Sequence, residues 1–462
     1  METSLPDPNL ISITPKNTST ASAKKGLYIK TFGCQMNEYD TEKLKKLLSD
    51  EYSAVSTPEE ADLVLINTCS VRDKPEHKLY SMIGELAILK KENPHMLIGV
   101  GGCVAQQEGV KIAKRSTAVD LVFGTHNLSL VPSLVEARLN GAGQQVAVNY
   151  REEWEELPAG FVEADKIAAF VSISRGCNKN CTYCIVPTTR GKEVSRDPAE
   201  IEKEIRIAAH RGTKEVTLLG QTVNSYGLDF KPRISFADLI NRVSQIQGIE
   251  RIRFTSPHPQ EVREDFINLV CENEKVCRHI HMPLQSGNDR VLKLMNRNYR
   301  RDRYLKIISS IKDKVPEMSI TTDIIVGFPG ETESEFQDTL SVMKEVQFDN
   351  SYSFIFSPRP GTAAEFLEDT LSYEEKLDRL QRLQAKQLDI TTNRLKSWIG
   401  KTGQILVEGG SAHDEKLMFG RLSQNILVNL TEESPGLLPG MLADVEITGA
   451  AKFTLKGRVT SK

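Results

Sequence analysis

The stretch RGCNKNCTYC (residues 175–184) places Cys177, Cys181 and Cys184 within eight positions of a 462-residue chain that has only eight cysteines. Their spacing is C-x3-C-x2-C, and the residues between them are polar, which suits a ligand loop better than a packed core. In a chain with sparse, uneven cysteine usage, such a cluster reads as metal ligands rather than disulfides. A structural zinc site closes with a fourth ligand, and no nearby Cys or His has the usual spacing. A cluster that only carries electrons is also held by four cysteines. Three thiolates on a cubane iron-sulfur cluster leave one iron without a protein ligand, open to a substrate or cofactor. Small buried thiols and zinc stay open as alternatives at this point.

The elements around such a loop can be read from periodicity. LYIKTFG, ADLVLINT and HMLIGVGG are strand-like runs, and NEYDTEKLKKLLSD and SMIGELAILKKEN are helical, which predicts an open parallel α/β module over residues 26–145. A cysteine follows each strand: Cys34, Cys69 and Cys103, spaced 35 and 34 residues apart. Ligands gather at the carboxyl edge of such sheets, so these three are expected on one edge. Residues 140–166 mix glycine with acidic residues without a sustained period, and 146–166 read as a linker. Six further strand candidates, AAFVSIS, EVTLL, RIRFT, HIHMP, ITTDIIVGF and YSFIF, alternate with helical stretches over 167–397. They predict a partial (β/α)6 TIM-like barrel. From 398 to 462 short alternating runs broken by GG and PG turns predict a small all-β, OB-like module.

Composition limits what these modules can be. The chain is 39% hydrophobic and 26% charged with a formal charge of -3, so any nucleic-acid site must be a local patch. From residue 400 onward seven Lys or Arg face seven Asp or Glu, so the last module is not basic overall. No apolar run reaches the roughly 20 residues needed to span a bilayer. Residues 1–25 lack a hydrophobic signal core and read as a disordered leader, so a cytoplasmic location is expected.

The triplet after the first barrel strand resembles the cluster loop of radical S-adenosylmethionine enzymes. TFGCQMNEYDTEKL, INTCSVRDKPEHKLYS, GGCVAQQEG, ISRGCNKNCTYCIVPTTRGKEVSR, LLGQTVNSYG, RFTSPHP, HMPLQSGNDRVLKLMNR and TDIIVGFPGET, read together, resemble the bacterial tRNA methylthiotransferases of the MiaB type. The likeness runs from about residue 26 to the C-terminus. Ser174 and Thr188 depart from it, standing where the family tends to have Met and Tyr.

The resemblance implies a barrel of radical S-adenosylmethionine type, a C-terminal TRAM domain and two 4Fe-4S clusters. One is held by Cys177, Cys181 and Cys184, the other by Cys34, Cys69 and Cys103. It implies S-adenosylmethionine contacts from Tyr183, Gly220 and Gln221; Gly327, Pro329 and Gly330 of VGFPGE are weaker candidates, which a βα turn alone explains. The implied reaction places a methylthio group on carbon 2 of N6-(dimethylallyl)adenosine next to the anticodon of tRNA, with no protein acid or base. A sister enzyme acting on threonylcarbamoyladenosine or on a ribosomal-protein aspartate is the alternative, and a non-catalytic RNA-binding metal protein is a remote one. Arg175, Arg190, Lys192 and Arg196 (with Lys179) are candidate tRNA contacts, as is the run NRNYRRDRY with Arg297, Arg300, Arg301 and Arg303. An external electron donor of flavodoxin type and a monomeric state are expected. Cys271 and Cys277 are expected to be structural thiols.

Overall fold

A computed structural model describes residues 24–70, 73–151, 154, 166–411 and 416–461, the side chains of 73–77 and 461 excepted. The leader expected over 1–25 lies outside these residues apart from Lys24 and Lys25. So does most of the expected linker.

The first module is a six-stranded parallel sheet of β1 (Lys25–Thr31), β2 (Tyr52–Ala54), β3 (Leu63–Thr68), β4 (Leu97–Gly102), β5 (Leu121–Phe123) and β6 (Gln145–Ala147). Its strand order is β2-β1-β3-β4-β5-β6. Every residue of β3 and β4 is buried, which explains their continuous apolar runs: both faces of the sheet carry a core. The three additional strands, β2, β5 and β6, are three residues each, too short to leave a period in the sequence. β6 also carries the sheet into the segment expected to be linker from residue 146.

The second module starts at β7 (Ala168–Ser172). The two-residue strands β8 (Ser174–Arg175) and β9 (Val194–Ser195) then pair antiparallel around the cysteine loop. β10 (Glu215–Leu219), β11 (Arg251–Phe254), β12 (His279–His281), β13 (Ser319–Val326) and β14 (Asn350–Ile355) continue in parallel. Two three-stranded sheets, β11-β10-β7 and β12-β13-β14, make up the arc. At their junction Ile252 pairs in parallel with Val276. The result is a partial barrel, and its apolar core is the largest in the molecule. Its outer helices are closed by sequence-local devices: Ser235, Thr332 and Ser372 each form a reciprocal capping box with the acid three residues on.

The third module is a closed barrel in the order β15-β16-β17-β19-β18, built from β15 (Thr402–Gly410), β16 (Met418–Leu422), β17 (Leu427–Leu430), β18 (Leu442–Ala450) and β19 (Leu455–Ser461). It docks on the amino ends of the middle strands through arginines. Arg251 donates to the carbonyls of Arg421 (2.6 Å) and Gln404 (2.8 Å), and Arg253 to those of Ser423 (3.0 Å) and Leu422 (3.1 Å). Arg253 also holds Glu215 at 2.7 Å, with both side chains under a tenth exposed. Removing one partner of such a pair leaves a buried charge uncompensated, at roughly 3–5 kcal/mol. Arg253→Met is therefore expected to loosen the third module first. Hydrogen exchange should rise at β16 and its turn to β17 while β3 and β4 keep their protection.

Candidate active site

All six cysteines of the two triads line one cavity of about 1070 Å³, which they meet at the carboxyl ends of the strands of the first two modules and which runs through the barrel to the amino ends at Glu215 and Ser319 and to Arg421 and Gln424 of the third module. Each is placed by a strand end. Cys34 follows β1 and is the N-cap of the helix Gln35–Leu47, exposed to the cavity. Cys69 follows β3 and is buried; Cys103 opens the helix Cys103–Glu108 directly after β4 and is buried as well. Gly33, at φ +133°, lets these chains close up: a Cβ there would sit 2.4 Å from that of Cys69. A hydrogen bond with Cys69 and then the charge of Arg190 hold the Cys34 thiol down at about 6. Burial pushes the Cys103 thiol up, against the pull of Arg190.

The second triad sits in the loop after β7. Gly176, at φ +74°, passes so close to the next strand that a Cβ would lie 2.0 Å from the Lys192 carbonyl oxygen. Cys177 Sγ lies 3.5 Å from Thr222 Oγ1 and accepts from the Lys179 amide at 3.4 Å. Cys181 Sγ accepts from Arg297 Nη1 at 3.5 Å. Burial pushes the Cys184 thiol up to about 12 and raises that of Cys177. A metal that binds here would have to displace those protons, so binding would be coupled to deprotonation.

The residues fit two open clusters. Each triad offers three soft thiolates, the donor type that suits iron-sulfur clusters. Among the described residues no group of three or more His, Cys, Asp or Glu converges as a single metal ion requires. Thiolates on separate corners of a cubane stand further apart than ligands around one ion. Gln221, in the same cavity, has a buried Oε1 that no donor among the described residues reaches, as an acceptor for an absent ammonium group would.

The other expected site residues divide sharply. Tyr183, Gly220 and Gln221 line the cavity; the Tyr183 ring meets Phe328 edge-on at 6.4 Å, and a Cβ on Gly220 would lie 2.5 Å from Ser174 Oγ. The VGFPGE turn is held by packing instead: the Gly327 amide donates to Glu331 at 2.8 Å, and Glu331 pairs with Arg379 at 2.8 Å. Cys271 is half-buried and Cys277 buried, and neither lines the cavity.

The arginines expected at a phosphate face need correction. Arg190 is buried at the cavity wall and held by Asp40 (3.0 Å) and Asn37 (3.3 Å), both from the first module. Arg196 is buried against Glu204, which also accepts from Tyr39 at 3.3 Å. Asp40 lies 150 residues from Arg190, while Glu204 is eight residues past Arg196 on the helix Pro198–His210. Lys192 is exposed; Arg175 is half-buried and donates to the Arg151 carbonyl at 2.8 Å. Lys179 pairs with Glu261. In NRNYRRDRY, Arg297 is 8% exposed and touches Cys181, 116 residues upstream, a contact no spacing announces. Arg301 approaches Asp338 and Glu345 at 3.8 and 3.7 Å, while Arg300 and Arg303 stay on the outer surface. His258, a cavity residue the sequence reading passed over, is pushed down to about 2 by burial and then by Arg297, so it is neutral.

Comparison with known proteins agrees with this architecture. Family models match over residues 26–124 (Uncharacterized protein family UPF0004), 171–343 (Radical SAM superfamily) and 396–460 (TRAM domain). A tRNA-2-methylthio-N(6)-dimethylallyladenosine synthase of Geobacter metallireducens is 46% identical over 95% of this chain and 99% of its own length. One from Alkaliphilus oremlandii is 44% identical over 94% of this chain and 93% of its own. Among solved structures, the radical S-adenosylmethionine methyltransferase TsrM of Kitasatospora setae covers 74% of this chain and 75% of its own, with a TM-score of 0.57 at 12% identity, a likeness of fold alone. The extent of identity to the synthases, across nearly the whole of both chains, shows that this chain belongs to the tRNA-2-methylthio-N(6)-dimethylallyladenosine synthase family.

Proposed function

We propose that the chain methylthiolates carbon 2 of N6-(dimethylallyl)adenosine next to the anticodon of tRNA. The observation that carries this reading is the opening of two three-cysteine sets into one cavity. Its whole volume, about 1070 Å³ from the cysteines through the barrel to the third module, lies just above the range of ordinary ligand pockets. Cys177, Cys181 and Cys184 would hold one 4Fe-4S cluster and Cys34, Cys69 and Cys103 the other. Tyr183, Gly220 and Gln221 would seat S-adenosylmethionine. When bound, these groups supply a carbon radical that abstracts the hydrogen of carbon 2 and a methylated sulfur that replaces it.

The chain's own residues position and shield this chemistry. Carbon 2 carries no acidic proton, so a protein base would not serve, and burial with the charge of Arg297 makes His258 a weak one. Arg190 reaches from the helix Val186–Arg190, just past Cys184, to the first triad and ties the two loops together. Its positive charge offsets the thiolates there. Burial keeps water from Cys69 and Cys103, while Cys34 stays open to the cavity. Exposed Lys192 and half-buried Arg175, with the C-terminal module, would contact the tRNA backbone. An external flavodoxin-type protein would supply electrons to a monomer working in the cytoplasm. No helix among the described residues is long and apolar enough to cross a membrane.

Mass spectrometry of tRNA nucleosides from a deletion strain tests the reading. The 2-methylthio-N6-(dimethylallyl)adenosine signal should vanish and its unthiolated precursor accumulate. Unchanged levels of the methylthio nucleoside would sink it.

A further inference from the structure

The helices Glu264–Glu272 and Arg301–Lys314 frame an open groove of about 820 Å³ on the outer layer of the barrel. Five cations line it, Arg263, Arg300, Arg303, Lys306 and Lys314, against only two acids, Glu264 and Asp302. All seven are exposed. Arg303 donates to the backbone carbonyls of Gln260 and Val262, at 3.2 and 3.1 Å, so those contacts leave its charge without a carboxylate.

The inner wall of this groove is Tyr299, and behind it the path to the second cysteine triad is short. Tyr299 Oη accepts from Arg297 Nε at 3.4 Å, and Arg297 Nη1 donates to Cys181 Sγ at 3.5 Å. Two side chains thus separate a basic surface from a cluster ligand. The groove and the six-cysteine cavity have no lining residue in common. An occupant of the groove therefore approaches the Cys181 side of the triad from behind and leaves the cavity to the tRNA base.

We propose that this groove docks a small acidic one-electron carrier protein of flavodoxin type, which reduces the cluster of Cys177, Cys181 and Cys184 through Arg297 and Tyr299. The proposal rests on the radical reading of that triad. One electron leaves the carrier's reduced cofactor and one enters the cluster; no atom or proton changes hands. Redox encounters use small interfaces selected by charge complementarity, as an open groove with a surplus of cations provides. RNA is the less suited occupant, since Tyr299 is 5% exposed and directs its hydroxyl to the Leu284 carbonyl at 2.6 Å. It offers no free ring for base stacking.

The test is the triple variant Arg300→Glu, Arg303→Glu and Lys306→Glu in the full, cluster-loaded chain, with a reduced acidic flavodoxin as probe. Flavodoxin binding, read by fluorescence anisotropy, should weaken at least tenfold at low salt, and stopped-flow reduction of the cluster should slow in parallel. The difference from wild type should shrink near 1 M salt, where screening acts over about 3 Å. Dithionite-driven formation of 5′-deoxyadenosine and tRNA affinity should stay unchanged. Equal flavodoxin binding and reduction by wild type and variant would overturn the proposal. So would a loss of tRNA affinity, which would assign the groove to RNA. If dithionite yields no 5′-deoxyadenosine even from wild type, the radical reading itself fails.

Discussion

Replacing Cys34, Cys69 and Cys103 together by alanine is expected to leave a protein that still cleaves S-adenosylmethionine but transfers no methylthio group. The first triad follows β1, β3 and β4, and the second lies between β8 and β9, so each can be emptied without removing a ligand of the other. Iron should fall from about eight to about four per chain, the content of one cubane. Formation of 5′-deoxyadenosine should persist, while the methylthio nucleoside disappears. The converse triple, Cys177→Ala, Cys181→Ala and Cys184→Ala, should also lose half its iron but give no 5′-deoxyadenosine. An unchanged iron content in the first triple, or continued methylthiolation, would show that Cys34, Cys69 and Cys103 do not bind a cluster. A circular-dichroism melt separates this from unfolding, because both cores of the first sheet are built from residues other than the three cysteines.

The second large effect is expected at Arg190. Its pair with Asp40, at 3.0 Å, joins the second module to the first with both side chains under a tenth exposed. Arg190→Met leaves Asp40 buried without its cation, which costs roughly 3–5 kcal/mol. Fluorescence-monitored urea unfolding should show the transition moving to lower denaturant, or dividing in two as the modules part. Adding Asp40→Leu to Arg190→Met should recover most of the loss, since a buried pair can be replaced by apolar side chains at little cost. A single variant as stable as wild type would refute the role of the pair in joining the modules.

The contrast between Arg190 and the cysteines explains what could be read without coordinates. The placement of Cys34, Cys69 and Cys103 was legible because each follows a fully or largely apolar strand, and parallel topology puts such ends on one edge. The partial barrel was legible through six apolar runs. The strands β2, β5 and β6 were not, since three residues complete no more than one and a half alternations. Arg190, Arg196 and Arg297 were misplaced for one shared reason. An arginine is read from its neighbours in sequence, while its role was set by Asp40, Glu204 and Cys181, which meet it only after folding. The basic run 297–303 accordingly split, one residue going to a cluster ligand and others to the outer surface.

The docking of the third module through Arg251 and Arg253 also has a consequence for geometry. β11 and its neighbours run from that module at their amino ends toward the cysteines at their carboxyl ends. β13, at eight residues, measures about 26 Å of that axis at roughly 3.3 Å per residue. The arginines hold the module to strands rather than to a loop. The cavity that the six cysteines line also reaches Glu408, Arg421, Gln424 and Asn425 of the third module, so the barrel is bored through from one strand end to the other and the docked module forms its floor.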